Sequence, residues 1–310
     1  MARPPKLALP LRDGVAASAL ACPPGPWLLV LDYLAERLPL VARGDWAARM
    51  ARGDVLDDAG VPLAPVAPYR AQCRIYYWRW LDDEPEVPFA ARIVHLDEHL
   101  LVADKPHFLP VTPKGRYVRQ TLLTRLRQET GLADLSPIHR LDRETAGLTL
   151  FSVQPATRDA YQRLFRDRDV EKVYEAIAPW REDVGKRLPF EYASRLEEHP
   201  IDFMQMRTVE GEPNAFTRIA LIERMADGRA RYELRPHTGV KHQLRAQLCA
   251  LALPIVNDRI YPVLEPVERE VDFTRPLQLL AREIAFTDPL SGQPRRFVTS
   301  LRLSDATAPL

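Results

Sequence analysis

The stretch VEKVYEAIAP, residues 170–179, constrains the fold more than any other. Its side chains alternate, with Lys172, Tyr174 and Ala176 on one face of a strand and Val173, Glu175 and Ile177 on the other. Similar runs recur at LTLFSV (148–153) and RYELRPH (231–237). A hairpin is predicted where LLAREIAFTDP and PRRFVTSL flank LSGQ, and two strands where ARIVHLDEHLLVADKPHFLPV (91–111) turns at DEH. Helical spacing intervenes three times. QTLLTRLRQETG (120–131) puts Leu122, Leu123 and Leu126 on one face and closes at Gly131. PATRDAYQRLFRDRDV pairs Ala160 with Leu164 and Tyr161 with Phe165, and KHQLRAQLCALAL is stopped by Pro254. Strands and helices mix without strict βαβ alternation, which predicts an α+β domain on a mixed, largely antiparallel sheet.

The N-terminal part has its own pattern. WLLVLDYLAERLPLVA (27–42) carries Leu28, Leu31, Leu34 and Leu38 at helical spacing. RGDWAARMARGD follows as a helix bearing Arg43, Arg49 and Arg52, stopped by Gly53. DVLDDAGVPLAP reads as a strand and tight turn, and YRAQCRIYYWRW as a closing strand. The acidic, proline-bearing LDDEPEVP at 81–88 then marks a linker. Residues 26–85 therefore form a small α+β domain, and residues 90–305 a larger one. Residues 1–25 are expected to be a flexible tail, because ACPPGP punctuates their end.

With 310 residues, 46% of them hydrophobic, the chain can build a large core. The net charge of +1 gives no global basic field, so any polyanion must be met by local patches. Cys22, Cys73 and Cys249 show no CxxC spacing, which predicts neither a disulfide framework nor a zinc site and suits a reducing cytosol. No apolar run approaches the roughly 20 residues of a membrane helix, and MARPPKLALPLRDG has no secretory h-region. The expectation is a cytoplasmic monomer away from membranes.

Three motifs carry the chemistry: HRLDRETAGL (139–148), RDVEKVYEAI and RPHTGVKHQLRAQL. With DEHLLVADKP before them and LLAREIAFTDPLSGQPRRF after, they resemble the RluA-type RNA pseudouridine synthases over roughly residues 90 to 300. The family pattern HRLDxxTSGL is matched except that Ala146 replaces the serine; TGRTHQIRVHL appears as TGVKHQLRAQL, KPxG as KPHF and LHA as LLA. The small domain resembles the ribosomal-protein-type module that precedes the catalytic domain in many bacterial pseudouridine synthases. The resemblance implies a pseudouridine synthase catalytic domain, an aspartate nucleophile at Asp142, a ribosomal or transfer RNA substrate and no cofactor.

The residues themselves fit that chemistry. Breaking the N1–C1′ bond of a uridine, turning the base and joining C5 to C1′ needs no redox change, phosphate energy or group donor, so a supported carboxylate is sufficient in principle. The ordinary fate of an Asp in DRET is an Asx turn, but the flanking pattern favours Asp142 as the nucleophile. A carboxylate in a water-excluding site needs a cation beside it. Arg245 is the candidate, three residues after His242 on a shared helix face, with Leu244, Leu248 and Leu251 on the core side. The resemblance implies that Tyr174 stacks on the uracil and is a candidate to manage the C5 proton, and that Arg140 fills the place of a flipped base. Lys172, which could position the loop or a phosphate, and His242 are weaker candidates for RNA contact, as are Arg43, Arg49 and Arg52 of the small domain, and His139 reads as structural. His139 and Asp142 have no further ligand cluster, so no metal is expected.

Two other readings compete. A non-catalytic RNA-binding protein would need the basic faces but not Asp142, Tyr174 and Arg245 together. A glycoside hydrolase would need two carboxylates about 5 to 9.5 Å apart, and Glu144, the nearest second one, has nothing to prepare it as an acid.

Overall fold

The computed structural model describes residues 7–81, 83–202, 204–266 and 270–303. It divides into two compact units, one of residues 1–85, 114–119 and 124–133, the other of residues 86–113, 120–123 and 134–310.

In the first unit the order is β1 (Ser18–Ala21), α1 (Val30–Arg37), α2 (Arg43–Ala51), β2 (Val55–Leu56) and β3 (Arg74–Tyr77). The strands form an antiparallel sheet in the order β1-β3-β2. Helix α1 is shorter than the leucine spacing suggests. Leu28 is 83% exposed and precedes it, and Leu38, held before Pro39, has left helical geometry. Leu31 and Leu34 pack with Trp46, Met50 and Ile75. Helix α2 ends before Gly53, whose φ of +76° closes the turn that leads into β2. The expected tail is in part a strand: Ser18 pairs with Tyr77 and Ala21 with Arg74, and Cys22 N–H continues the ladder to the Cys73 carbonyl. The run SALA is too short and small to show a strand period, so its pairing comes from β3. Residues 1–6 lie outside the described residues.

The second unit is an α+β fold on one large sheet. Its elements are β4 (Arg92–Leu96), β5 (Leu100–Lys105), the start of α3 (Leu122–Thr130), β6 (Ser136–Pro137), β7 (Ala146–Ser152), α4 (Arg158–Asp167) and β8 (Val170–Pro179). They continue with α5 (Glu182–Gly185), β9 (Phe190–Glu198), β10 (Met206–Val209), β11 (Ala215–Arg224), β12 (Arg229–Pro236), α6 (Gln243–Ala250), β13 (Leu279–Thr287) and β14 (Pro294–Val298). The strand order is β10-β9-β11-β12-β8-β13-β7-β5-β4, with β14 added to β13 and β6 to β7. Every pairing is antiparallel except β13 with β7. Helix α4 buries Tyr161 against Leu148, Leu150, Ile284 and Phe286.

Helix α6 departs from the expected two-faced pattern. Gln243 through Leu248 are all buried, so its polar side chains must find partners inside the protein. The Gln247 amide donates to Ser194 Oγ at 3.0 Å and the Ala215 carbonyl at 3.1 Å, and the Gln243 amide donates to Thr217 Oγ1 at 2.9 Å. These bonds fasten α6 to β9 and β11.

The one parallel junction explains the glycine of TAGL. Gly147 pairs with Ala281 at a φ of +111°, and a Cβ there would collide with the Ala281 carbonyl oxygen and lie 2.7 Å from its nitrogen. Gly147→Ala should therefore lower stability by at least about 2 kcal/mol, from strain plus overlap. Gly44→Ala, where a Cβ meets nothing within 4 Å, should not. Chemical denaturation of both variants checks this, and equal midpoints would remove the argument.

Candidate active site

Asp142 lies in the turn between β6 and β7. That turn is held from below by the segment after β5. Lys105 is fully buried, and its ammonium donates to the carbonyls of Pro106 (2.9 Å), Leu109 (2.8 Å) and Arg143 (3.0 Å). His107 Nδ1 donates to the Glu144 carbonyl at 2.7 Å. Burial lowers Lys105 to about 7, opposed by the charges of Glu144 and Asp142. Three carbonyls match the three N–H bonds of the ammonium, so its bonding is that of the charged form. The KPHF motif thus fixes the backbone on the C-terminal side of Asp142. His139, at the other side, accepts a hydrogen bond from Leu150 N–H at 3.1 Å and stacks on Phe165. It is half-buried and structural in geometry, as its sequence context suggested.

Arg245 comes to Asp142 from α6. It is 2% exposed, and Nη1 lies 3.3 Å from Asp142 Oδ2. Its closer partner was not foreseen. Asp258 takes the guanidinium in a fork, with Nε at 2.8 Å and Nη2 at 2.6 Å. Asp258 is itself held by the backbone N–H groups of Ile260 (2.8 Å) and Tyr261 (3.1 Å). Burial disfavours the guanidinium's charge, but the hydrogen bonds and charge of Asp258, with those of Asp142, raise its pKa above the usual arginine range. Asp142 keeps 34% of its side chain exposed and has a single contact to the cation. A carboxylate clamped in a fork is a poor nucleophile, whereas this one is supported and still accessible.

Tyr174, on β8, is half-buried and pairs across the sheet with Leu234 and Ala281. Burial raises its pKa, and the negative charge of Asp142 raises it further, so the phenol stays protonated. His242 lies beside Asp142. It sits in left-handed backbone (φ 52°) at the start of α6, with Nε2 3.7 Å from Asp142 Oδ1 and Nδ1 3.4 Å from the Tyr261 hydroxyl. Burial, only partly opposed by Asp142, lowers it to about 4. Lys172 directs its amine inward to the Thr238 carbonyl at 3.0 Å, which makes it a brace for the HTG turn; burial lowers it to about 8. Arg140 is exposed and makes no hydrogen bond or ion pair among the described residues. Glu144 is tied to Arg143 by an ion pair, which leaves it no acid role beside Asp142.

The arginines of the small unit have partners within that unit. Arg43 bonds Asp32 at 2.8 Å and Arg52 bonds Asp54 at 3.1 Å, while Arg49 donates to the Trp80 carbonyl at 3.1 Å. Asp258, Lys105, His107 and Tyr261 are the residues that sequence reasoning missed. The KPHF match was a signal for two of them.

Asp258→Asn should leave Arg245 without its charged fork. The cost of breaking such a buried pair is about 3–5 kcal/mol. Denaturation and turnover should both suffer, and a variant with wild-type stability and rate would sink the assigned role. The buried histidines also set a pH dependence. Burial lowers His107 to about 4 and His139 to about 3, from 6.5. Below pH 6.5 the unfolded chain binds protons that the fold refuses, so stability is complete above that value and is lost as the pH falls towards 4 and 3. The urea midpoint at about pH 5.5 should fall below that at about pH 7.5. Equal midpoints would contradict it.

A family model described as RNA pseudouridylate synthase matches residues 99–250. A protein of Synechocystis, named an uncharacterised RNA pseudouridine synthase, is 31% identical over 235 residues, covering 75% of this chain and 79% of that one. The dual-specificity RNA pseudouridine synthase RluA of Haemophilus influenzae is 30% identical over 212 residues, covering 66% and 90%. Among solved structures, human RNA pseudouridylate synthase domain containing 4 superposes with a TM-score of 0.52 at 26% identity, over 68% of this chain and 88% of that one. No helix of the described residues is long and apolar enough to cross a membrane. With the HRLD turn, the strand tyrosine and the helical arginine in one unit, the chain belongs to the RluA-type family of RNA pseudouridine synthases, isomerases that modify RNA.

Proposed function

We propose that the protein converts specific uridines of a ribosomal or transfer RNA to pseudouridine, with Asp142 as nucleophile and Arg140 as the residue that replaces the flipped base. The observation that carries this reading is the shared guanidinium: Arg245 is locked by Asp258 and stands 3.3 Å from an Asp142 carboxylate that remains open to a ligand. In the proposed reaction the carboxylate bonds to C1′ as the N1–C1′ pair leaves with uracil. The base turns, C5 attacks C1′ and displaces the carboxylate, N1 takes a proton and C5 loses one. Arg245 balances the negative charge of Asp142 at the start and end of this sequence. Tyr174, whose phenol stays protonated, serves as a flat partner for the ring and not as a phenolate base.

Arg140 is exposed and unengaged, so its side chain can enter a stack without breaking a bond in the protein. Inserting it would recover part of the few kcal/mol lost on unstacking. The reading extends to the small unit as an RNA-binding module and to a cytoplasmic monomer as the working form; the three free thiols suit a reducing compartment.

Single-turnover rates on matched stem and loop RNAs test the roles together. Asp142→Asn should abolish tritium release from 5-tritiated uridine in both RNAs while leaving affinity within a few-fold. Arg140→Ala should slow the stem substrate more than the loop substrate, because less stacking is lost in a loop. Turnover by Asp142→Asn would remove the nucleophile. Equal penalties for Arg140→Ala would reduce that residue to a phosphate contact or a brace.

A further inference from the structure

Within the first unit, one end of α2, the segment after β3 and the loop 114–119 bring cations around an exposed indole. Trp80 is 42% exposed. The Arg119 guanidinium lies 4.1 Å from its ring centroid, and Arg49 donates to its carbonyl at 3.1 Å. Arg79 reaches the Gly115 carbonyl at 3.4 Å, Arg116 lies over Tyr117, and Lys114 is exposed at the head of the same loop. The loop is built to stay there. Glu84, whose side chain has no exposed surface, accepts from the backbone N–H groups of Val118 (2.6 Å) and Arg119 (3.0 Å) and pairs with the Arg119 guanidinium at 3.4 Å, and Lys114 and Tyr117 pair their backbones. Glu84 of the linker is therefore turned inward as a fastener, and exposed Asp83 is an opposing charge beside it.

We infer that Trp80 with Arg49, Arg79, Lys114 and Arg116 forms an RNA-docking surface, on which guanidinium and ammonium groups meet phosphates and the indole, braced on one side by Arg119, stacks a base. The inference rests on the reading that this chain acts on RNA. Charge complementarity and chemistry both favour that occupant. A stacked Arg–Trp pair presents planar groups, which suit nucleobases, and Arg binds phosphate through a fork of N–H donors. Aromatic stacking tolerates any base, and loop cations add affinity without adding sequence preference. The surface gives Arg49 a role that Arg43 and Arg52, each bonded to an aspartate, do not share.

The test uses the full chain and a fluorescein-labelled hairpin RNA with a uridine-rich loop, read by anisotropy over a salt series. Trp80→Ala should weaken binding by about five- to hundred-fold, and Trp80→Phe should restore most of it. Arg79→Gln and Arg116→Gln should each lower the magnitude of the salt slope by about 0.7 to 1. Circular dichroism separates unfolding from lost contact, and the two glutamine variants and Trp80→Phe keep the test open should Trp80→Ala not fold. Unchanged affinity and slope in the folded variants would overturn the surface. So would displacement of the hairpin by polyglutamate as readily as by unlabelled RNA, which would point to an acidic protein partner. Wild-type tritium release from the same hairpin, labelled with 5-tritiated uridine, is measured in parallel. Release with unchanged Trp80→Ala binding removes the surface and leaves the activity; Trp80-dependent binding without release supports the surface and counts against the activity on that RNA.

Discussion

One buried guanidinium faces two carboxylates, and the geometry around it follows from how that imbalance is resolved. Arg245 is almost wholly withdrawn from water, so its charge requires a close counter-ion. Asp258 provides it with two short bonds, and the backbone of residues 260 and 261 fixes Asp258 in turn. The third carboxylate contact, to Asp142, is longer and single. The tight pair therefore does the structural work, and the loose one leaves an oxygen available. Had Asp142 been the fork partner, any approach of its carboxylate to a ligand would first require breaking a buried ion pair. Neutral His242 beside the carboxylate is consistent with this division, since a second cation there would hold Asp142 more firmly.

The same constraint explains why so much polar machinery lies under the turn. A carboxylate can be presented at a fixed place only if its backbone is fixed, and the HRLD turn has little ladder of its own. Lys105 and His107 satisfy the carbonyls of Arg143 and Glu144, while His139 occupies the Leu150 N–H. Gly147 then lets β7 run against β13 at a separation no side chain would permit. Ala146 is fully buried beside Ile177, Leu280 and Leu303, an apolar setting in which a serine hydroxyl would need a partner. The departure from the family serine thus falls on a packing position.

Legibility in the sequence followed the strength of local periodicity. Strands β7, β8, β12, β13 and β14 and helices α3 and α4 were readable because their alternating or helical patterns are long and cleanly bounded. Strands β9 to β11 were not read at all. FEYASRLEE and AFTRIALIER carry many charges on their outward faces, and only the pairing with β12 and the packing of α6 reveal which residues turn inward. Strand β1 failed for the opposite reason, since SALA has no contrast between faces. At the site, Asp142, Tyr174 and Arg245 were legible through motif context. Asp258 was not, because a lone acid in VNDRIY shows its importance only when the fold carries it to the buried cation. The partners of His242 and Lys172 were not legible, because spacing on one helix or strand does not tell which face other elements will cover.

The pairing of cations within the fold limits where RNA can be held. A chain of net charge +1 contains many cations, but most of those on the large sheet are answered locally: Arg231 by Glu223, Arg235 by Glu233 and Arg296 by Glu283. An arginine already paired must exchange one acid for another to bind phosphate, so it adds little net affinity and little salt dependence. Counting basic residues therefore overstates the RNA-facing area. Cations whose neighbours are carbonyls, rings or solvent are the ones that release counter-ions without first losing a carboxylate. Arg140 at the lip of the Asp142 turn meets that condition, and so do Arg49, Arg79 and Lys114 around Trp80. A nearly neutral protein can in this way present concentrated positive charge at a few places, and its affinity depends on where its acids are sequestered as much as on where its bases lie.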